Sequence, residues 1–433
     1  MATRPRQRHP AGLLTTACVV VAISAGIAQA GPVPDDGGDV GGASGVTRIL
    51  ATPLFALGEV NLSALGVPPG ELATAGLAGA TAASAGDGPN MFIVDDNGAE
   101  CPNAQFTTIQ AAVDVAGGGQ VKVCPGTYNE QVQIVGHHHD GLRLFSERPL
   151  QAVIKYPVVE TKLPRSVVWV ASADNVDVRH FTIDGQFTVP GCNNDRHTGV
   201  RIGDDASATI YGNHITKVRN GLPSLRGCQD GIAVQVGRQF ENQAGTAVIR
   251  NNLIDEYQKG GVLVDGPGSY AWATQNEILG DLDLTPLIAQ NGVQVGRAAS
   301  ADVDHNIIEN NLYISPLNSD SASGVLLFQT AEHVSVDHND LDNNGIGIAI
   351  ADLAIGLTIA HNDVSNSNDN GIAAYNGSGG NTISFNKAFD NVPVDCYDET
   401  TGPGTAGTAN FWIKDMGFTQ NRPGLCKQAT VIP

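Results

Sequence analysis

The chain has 433 residues, with 44 acidic against 24 basic side chains and a formal net charge of −20. That balance argues against a nucleic-acid binder and against attraction to an anionic membrane surface, and it disfavours a polyanionic ligand unless calcium or a local basic cleft intervenes. Aromatic residues make up only 5%, so the stacking platforms of a dedicated carbohydrate-binding module are not evident.

Residues 1–30 read as a secretory signal peptide. Arg4, Arg6 and Arg8 form its positive start, an apolar stretch runs from Ala11 to Ile27, and Ala28-Gln-Ala30 offers a small-x-small cleavage site. Cleavage removes three of the 24 basic residues and no acidic one, so 44 acids face 21 bases, a net of −23. The mature chain is expected to be exported, with no further apolar run long enough to span a bilayer. Residues 31–90 differ in character: Asp35–Gly42 is acidic and Gly-rich, Glu71–Gly88 is dominated by Ala, Gly and Thr, and the stretch reads as a linker or arm.

The expected folded domain is 91–433. Its first strand is Met91–Val94, and Thr107 or Thr108 then caps a short helix whose Ile109, Ala112, Val113 and Ala116 share one face. Strands follow at Val121–Val123, Leu142–Leu144, Val153–Ile154, Val167–Val170 and Val176–Ile183. From Gly199 a two-part repeat takes over. A Gly leads four residues with alternating apolar positions at Gly199, Gly231, Gly261, Gly292, Gly324, Gly347 and Gly371. An Asn-x-apolar element alternates with it at Asn213, Asn252, Asn276, Asn306, Asn339, Asn362 and Asn386. Gly to Asn takes 14 or 15 residues in six of the seven cases, and the shortest whole repeats are 23 and 24 residues. That period is too rich in Gly and β-branched residues for a helical array and fits one coil of a parallel β-solenoid. The Asn amide tolerates a left-handed turn and has the donors and acceptor to bond its counterparts one coil above and below.

This pattern resembles the right-handed parallel β-helix repeats of the pectin-lyase-like superfamily. The passage Phe106–Asp114 followed by Gln120–Glu130 is similar to the opening of many such proteins. The resemblance implies an all-β fold, a single-stranded right-handed parallel β-helix of about ten coils, with an N-terminal cap helix and a disulfide-tied C-terminal cap. It implies polysaccharide as partner but fixes no chemistry, because one fold hosts many activities. Six cysteines lie outside the signal and permit fifteen pairings. In a solenoid only neighbouring coils touch, which favours Cys101–Cys124, Cys192–Cys228 and Cys396–Cys426.

Three loops between the ladder Asn and the next strand are lengthened: Thr216–Asp230, Leu279–Gln290 and Glu309–Ser323. Insertions on one face are where solenoids bind ligands, and in enzymes of the superfamily that corner builds the cleft. The candidate site is therefore the outward row of the following strands, with Arg201 aligned on Ala233, and Gln235, Asp265 and Gln294 beside it. The second disulfide would hold Asp195, His197 and Asp230 close by. A calcium-assisted lyase could draw on Asp230, Asp265, Arg201 and Arg226; otherwise no cofactor is expected. Whether the protein is an enzyme stays open: the sequence supports a secreted, monomeric polysaccharide-binding or polysaccharide-degrading β-helix, or else a non-catalytic extracellular scaffold. His137–His139 with Asp140 reads as a solvated tract, and His305, His338 and His361 as rings stacked at a turn rather than a metal site.

Overall fold

In a computed structural model, residues 91–159, 162–192, 196–314 and 321–427 are described. The expected signal peptide and the arm at 31–90 lie outside them, as do Asp195 and residues 315–320 of the third long loop. Among the described residues no helix is long and apolar enough to cross a membrane.

Three parallel sheets of twelve, ten and twelve strands wind along the chain, each coil giving one strand to each sheet in the central region. The ladder sheet runs from Met91–Val94 to Phe411–Ile413, the Asn-x-apolar sheet from Gly126–Asn129 to Cys426–Lys427, and the Gly-led sheet from Val132–Val135 to Cys396–Asp398. Inward residues such as Val200, Ile202, Ile210, Ile215 and Val234 are buried in one continuous apolar core. The Val176–Ile183 segment is two strands rather than one, broken at His180, whose φ is 65°.

That break exposes how the corner works. The left-handed residue is not the ladder Asn but the one before it: Gly212, Asn251, Gln275, His305, His338, His361 and Phe385 have φ between 54° and 64°. The Asn is thereby freed to bond along the axis. Asn306 donates its backbone N–H and its Nδ2 to Asn339 Oδ1, both at 3.0 Å, and its own Oδ1 accepts the same pair from Asn276 at 2.9 Å. The relay is unbroken from Asn213 through Asn252, Asn276, Asn306, Asn339, Asn362 and Asn386. It ends on Asp415, which accepts from Asn386 N and Nδ2 at 2.9 and 2.8 Å. Shorter relays end the same way, Asn391 on Asp395 and Asn410 on Asp398.

The Gly row has an equally direct cause. A Cβ at Gly261 would lie 2.6 Å from Ile278 Cγ2, and one at Gly292 would lie 2.5 Å from Ile308 Cγ2. In five coils the apolar residue of the Asn-x-apolar element fills the space a side chain would need on the Gly-led strand that precedes it, at Gly199, Gly261, Gly292, Gly324 and Gly347, so the two halves of the repeat are one packing contact.

Both ends are closed as expected. Helix Ile109–Ala116 buries Ile109, Ala112, Val113 and Ala116, with Thr108 Oγ1 accepting from Ala111 N and Glu130 accepting from the Ile109 and Gln110 N–H groups. At the other end Thr405 Oγ1 accepts from Trp412 N at 2.9 Å and donates to Trp412 O at 3.2 Å, which occupies the edge of the last ladder-sheet strand. The disulfides are Cys101–Cys124, Cys192–Cys228 and Cys396–Cys426.

Two measurements test this frame. Asn306→Ala strands two buried donors of Asn276 and should cost about 2–4 kcal/mol in a denaturation experiment. Burial pushes the Asp415 carboxyl up to about 6. A carboxyl raised in the folded state binds its proton more tightly there than in the unfolded chain, so its stabilising contribution is full below about pH 4 and lost as pH rises through 6, about 3 kcal/mol in all. Asp415→Asn removes the titration, and its melting temperature should therefore gain on the wild type between pH 4 and pH 7.

Candidate functional site

The outward face of the Gly-led sheet does not carry its polar residues into solvent. Arg201, Gln235 and Asp265 were expected there as an exposed row, yet they are 1%, 0% and 0% exposed. The covering element is the turn after Ile232–Val236, whose Gln239–Glu241 stretch is a single 3₁₀ turn folded back over the sheet. Arg201 Nη2 bonds both Glu241 and Gln243 on that turn. On its other side the guanidinium lies over the Trp169 ring, 4.9 Å from the centroid. Gln235 Nε2 donates to Gly237 O at 3.0 Å. Asp265 accepts from Gln239 N at 3.3 Å and pairs with Arg297 Nη1 at 2.7 Å, while Arg297 sits 5.0 Å from the Phe240 ring and 5.1 Å from that of Phe328.

The expected register fails in this coil. Arg201 pairs with Gln235, not Ala233, and Gln235 with Leu263. Gly231 is not the structural counterpart of Gly199: it lies two residues early, at φ 80°, and Ala233 takes the close-packed row. Gln294 stays in the outward row next to Leu263 but is held by Asn291 Nδ2 at 3.0 Å.

A cavity of about 350 Å³ opens beside the covering turn, lined by the Leu163–Arg165 segment, Arg196, Arg201, Arg238, Glu241 and Gln243. Four arginines thus face one carboxylate among the described lining residues, in a chain of net charge −20. Arg238 Nη1 pairs with Glu241 at 2.7 Å. Arg196 Nη1 is cut off from solvent and has no hydrogen-bond partner among the described residues. Burial pushes the Arg196 guanidinium below its ordinary range, opposed by the charge of Asp265. Burial likewise lowers Arg201, opposed by its bond to Glu241. An unpartnered, desolvated guanidinium is costly unless an anion completes it.

Of the other expected residues, His197 and Asp230 do come together. His197 Nδ1 lies 2.8 Å from Asp230 Oδ2, its backbone N–H donates to Asp230 Oδ1 at 2.6 Å, and its ring stacks on Phe187 at 3.8 Å with 6° between the planes. Among the described residues none of the three long loops lines the cavity, which lies one to two coils earlier than the first of them. The first two loops are instead tied to each other by Arg219 with Asp281, and Arg219 also pairs with Glu256 of the intervening coil. Arg165, Arg196, Arg238, Glu241, Gln243 and Trp169 escaped the reading of the sequence. One signal was present: Gly231 to Asn252 takes 21 residues where the other coils take 14 or 15, which is the length of the covering turn. The histidine column behaves as expected, His305, His338, His361 and Phe385 stacking at 5.1, 4.7 and 5.3 Å. His139 is the exception to the solvated tract, being buried.

Residues 198–388 match the right-handed beta helix region family. Together with the three parallel sheets this gives the described residues the fold of a right-handed parallel β-helix. Solved structures of similar fold include an alginate lyase from Paenibacillus sp. str. FPU-7, at 11% identity over 67% of this chain and 94% of that one, TM-score 0.48. Dettilon tailspike protein matches at 14% identity over 79% of this chain and 73% of its own, TM-score 0.44. Pectate lyase Pel9A matches at 12% identity over 78% and 81%, TM-score 0.43. No curated protein matches the chain.

The disulfide at this corner offers a test. Replacing Cys192 and Cys228 by Ser removes a bridge of sequence separation 36, worth at most about 4 kcal/mol on a chain-entropy basis. Limited proteolysis should then cut within 186–230 while the β-sheet circular dichroism stays unchanged.

Proposed function

We propose that this is a secreted protein that binds an acidic polysaccharide at the arginine-lined cavity of the Gly-led sheet. One observation carries the reading: a buried, unpartnered Arg196 nitrogen among three further arginines, in a chain otherwise strongly acidic. Guanidinium groups on a rigid sheet suit carboxylate or sulfate oxygens, and the cavity's volume suits one or two sugar units. The reading meets the one exception allowed by the charge balance, a local basic cleft. Secretion is supported by the signal-like N-terminus and by three disulfides, which persist in oxidising compartments.

Binding is favoured over glycoside hydrolysis because the nearby carboxylates are already engaged. Glu241 serves Arg201 and Arg238, Asp265 serves Arg297, and Asp230 serves His197. A general acid needs a carboxyl free to protonate its substrate. The same engagement leaves calcium outside the proposal.

A panel of acidic and neutral glycans tests this by isothermal titration, with unsaturated products and reducing ends followed in parallel. Retention should be confined to acidic chains and weaken as salt rises. Arg196→Gln should lower affinity tenfold or more, in line with one charge-assisted hydrogen bond. Equal retention of neutral glycans, or an unchanged affinity in that variant, sinks the proposal.

A further inference from the structure

The outward face of the ladder sheet has a charge order along the solenoid axis. One row, read coil by coil, begins Lys122, Phe145, Arg179, Tyr211, Arg250. It continues Thr274, Asp304, Asp337, Ala360, Ser384. The first half is cationic and aromatic, with Arg179 5.5 Å and Arg250 4.3 Å from the Tyr211 ring. The second half is acidic and small.

A two-fold axis along the strand direction, passing between Arg250 and Thr274, turns this row onto itself in reverse coil order. It sets Arg179 against Asp337, Tyr211 against Asp304, and Phe145 against Ala360, each contact occurring twice. Cation meets carboxylate, a phenol O–H meets an acceptor, and the large ring meets the smallest side chain of the row. This is the self-complementarity that an isologous dimer requires. Arg179, Tyr211, Asp304 and Asp337 are half-buried; within the chain Arg179 bonds Asp177, Asp304 accepts from Trp272 Nε1 and Asp337 pairs with His338 and His361, so contacts between copies would add to these.

We infer that this face pairs with a second copy of the chain, antiparallel along the solenoid axis, in place of the monomer the sequence suggests. Ten strands at about 4.8 Å spacing and roughly four residues of strand width give about 630 Å² per copy. A total of about 1,300 Å² lies at the low end of specific interfaces. The dimer is therefore weak and, being held by exposed ion pairs, salt-sensitive.

The mature chain in sedimentation equilibrium at 20 mM and 500 mM NaCl tests the inference. Dimer is expected at low salt and monomer at high salt. Arg179→Glu alone, and Asp337→Arg alone, should each weaken association at least tenfold, and the two together should restore it. Melting temperatures check that every variant is folded. A wild type that stays monomeric at low salt, a double variant that fails to recover, or an Arg179→Glu variant that loses binding to an acidic glycan without changing mass would each overturn it.

Discussion

Everything in this protein hangs on one directional hydrogen-bond relay. Each ladder amide accepts two donors from the coil before and gives two to the coil after, so the turns keep a common height and phase. The Asn achieves this only because its predecessor takes the left-handed conformation in every coil, whatever its side chain. With the corners pinned, the apolar residue two after each Asn falls at one depth and leaves the facing strand room for Gly or, at Ala233, for Ala. A buried polar corner is tolerable because it is fully satisfied.

Such a frame leaves function to departures from regularity. The turn over Val236–Gly245 is the clearest: it converts an outward row that would otherwise be solvated into a roofed layer in which Arg201 is clasped between Trp169 below and Glu241 above. The cavity lies at the margin of that roof, where Arg196 arrives from the preceding corner. Rigid strands under the roof hold the guanidinium groups in place without help from a ligand, which is how a strongly acidic protein can still present a cationic recess.

The frame was legible in the sequence and the recess was not. Asn and Gly recur because local sterics and hydrogen bonding demand them, so their spacing reports the coil directly. The helix face at Ile109, Ala112, Val113 and Ala116 and the three disulfides followed from equally local rules. Arg165, Arg196 and Arg238 are distant in sequence and have no period, and net charge averaged them away. Gly231 misled because it resembles a repeat glycine while serving a turn. The inserted residues between Val236 and Gly245 cover the outward row, so alternation alone assigned Gln235 and Asp265 to the wrong environment.

The carboxylates at the ends of the relays set a rule for how such a chain can grow. Asparagine both gives and takes, so one more asparagine-bearing coil fits between any two others. The side chains of Asp395, Asp398 and Asp415 only take, so the side-chain series stops at them, and where the chain continues beyond Asp395 and Asp398 the link is a backbone N–H, given to Thr419 Oγ1 and Asn421 Oδ1.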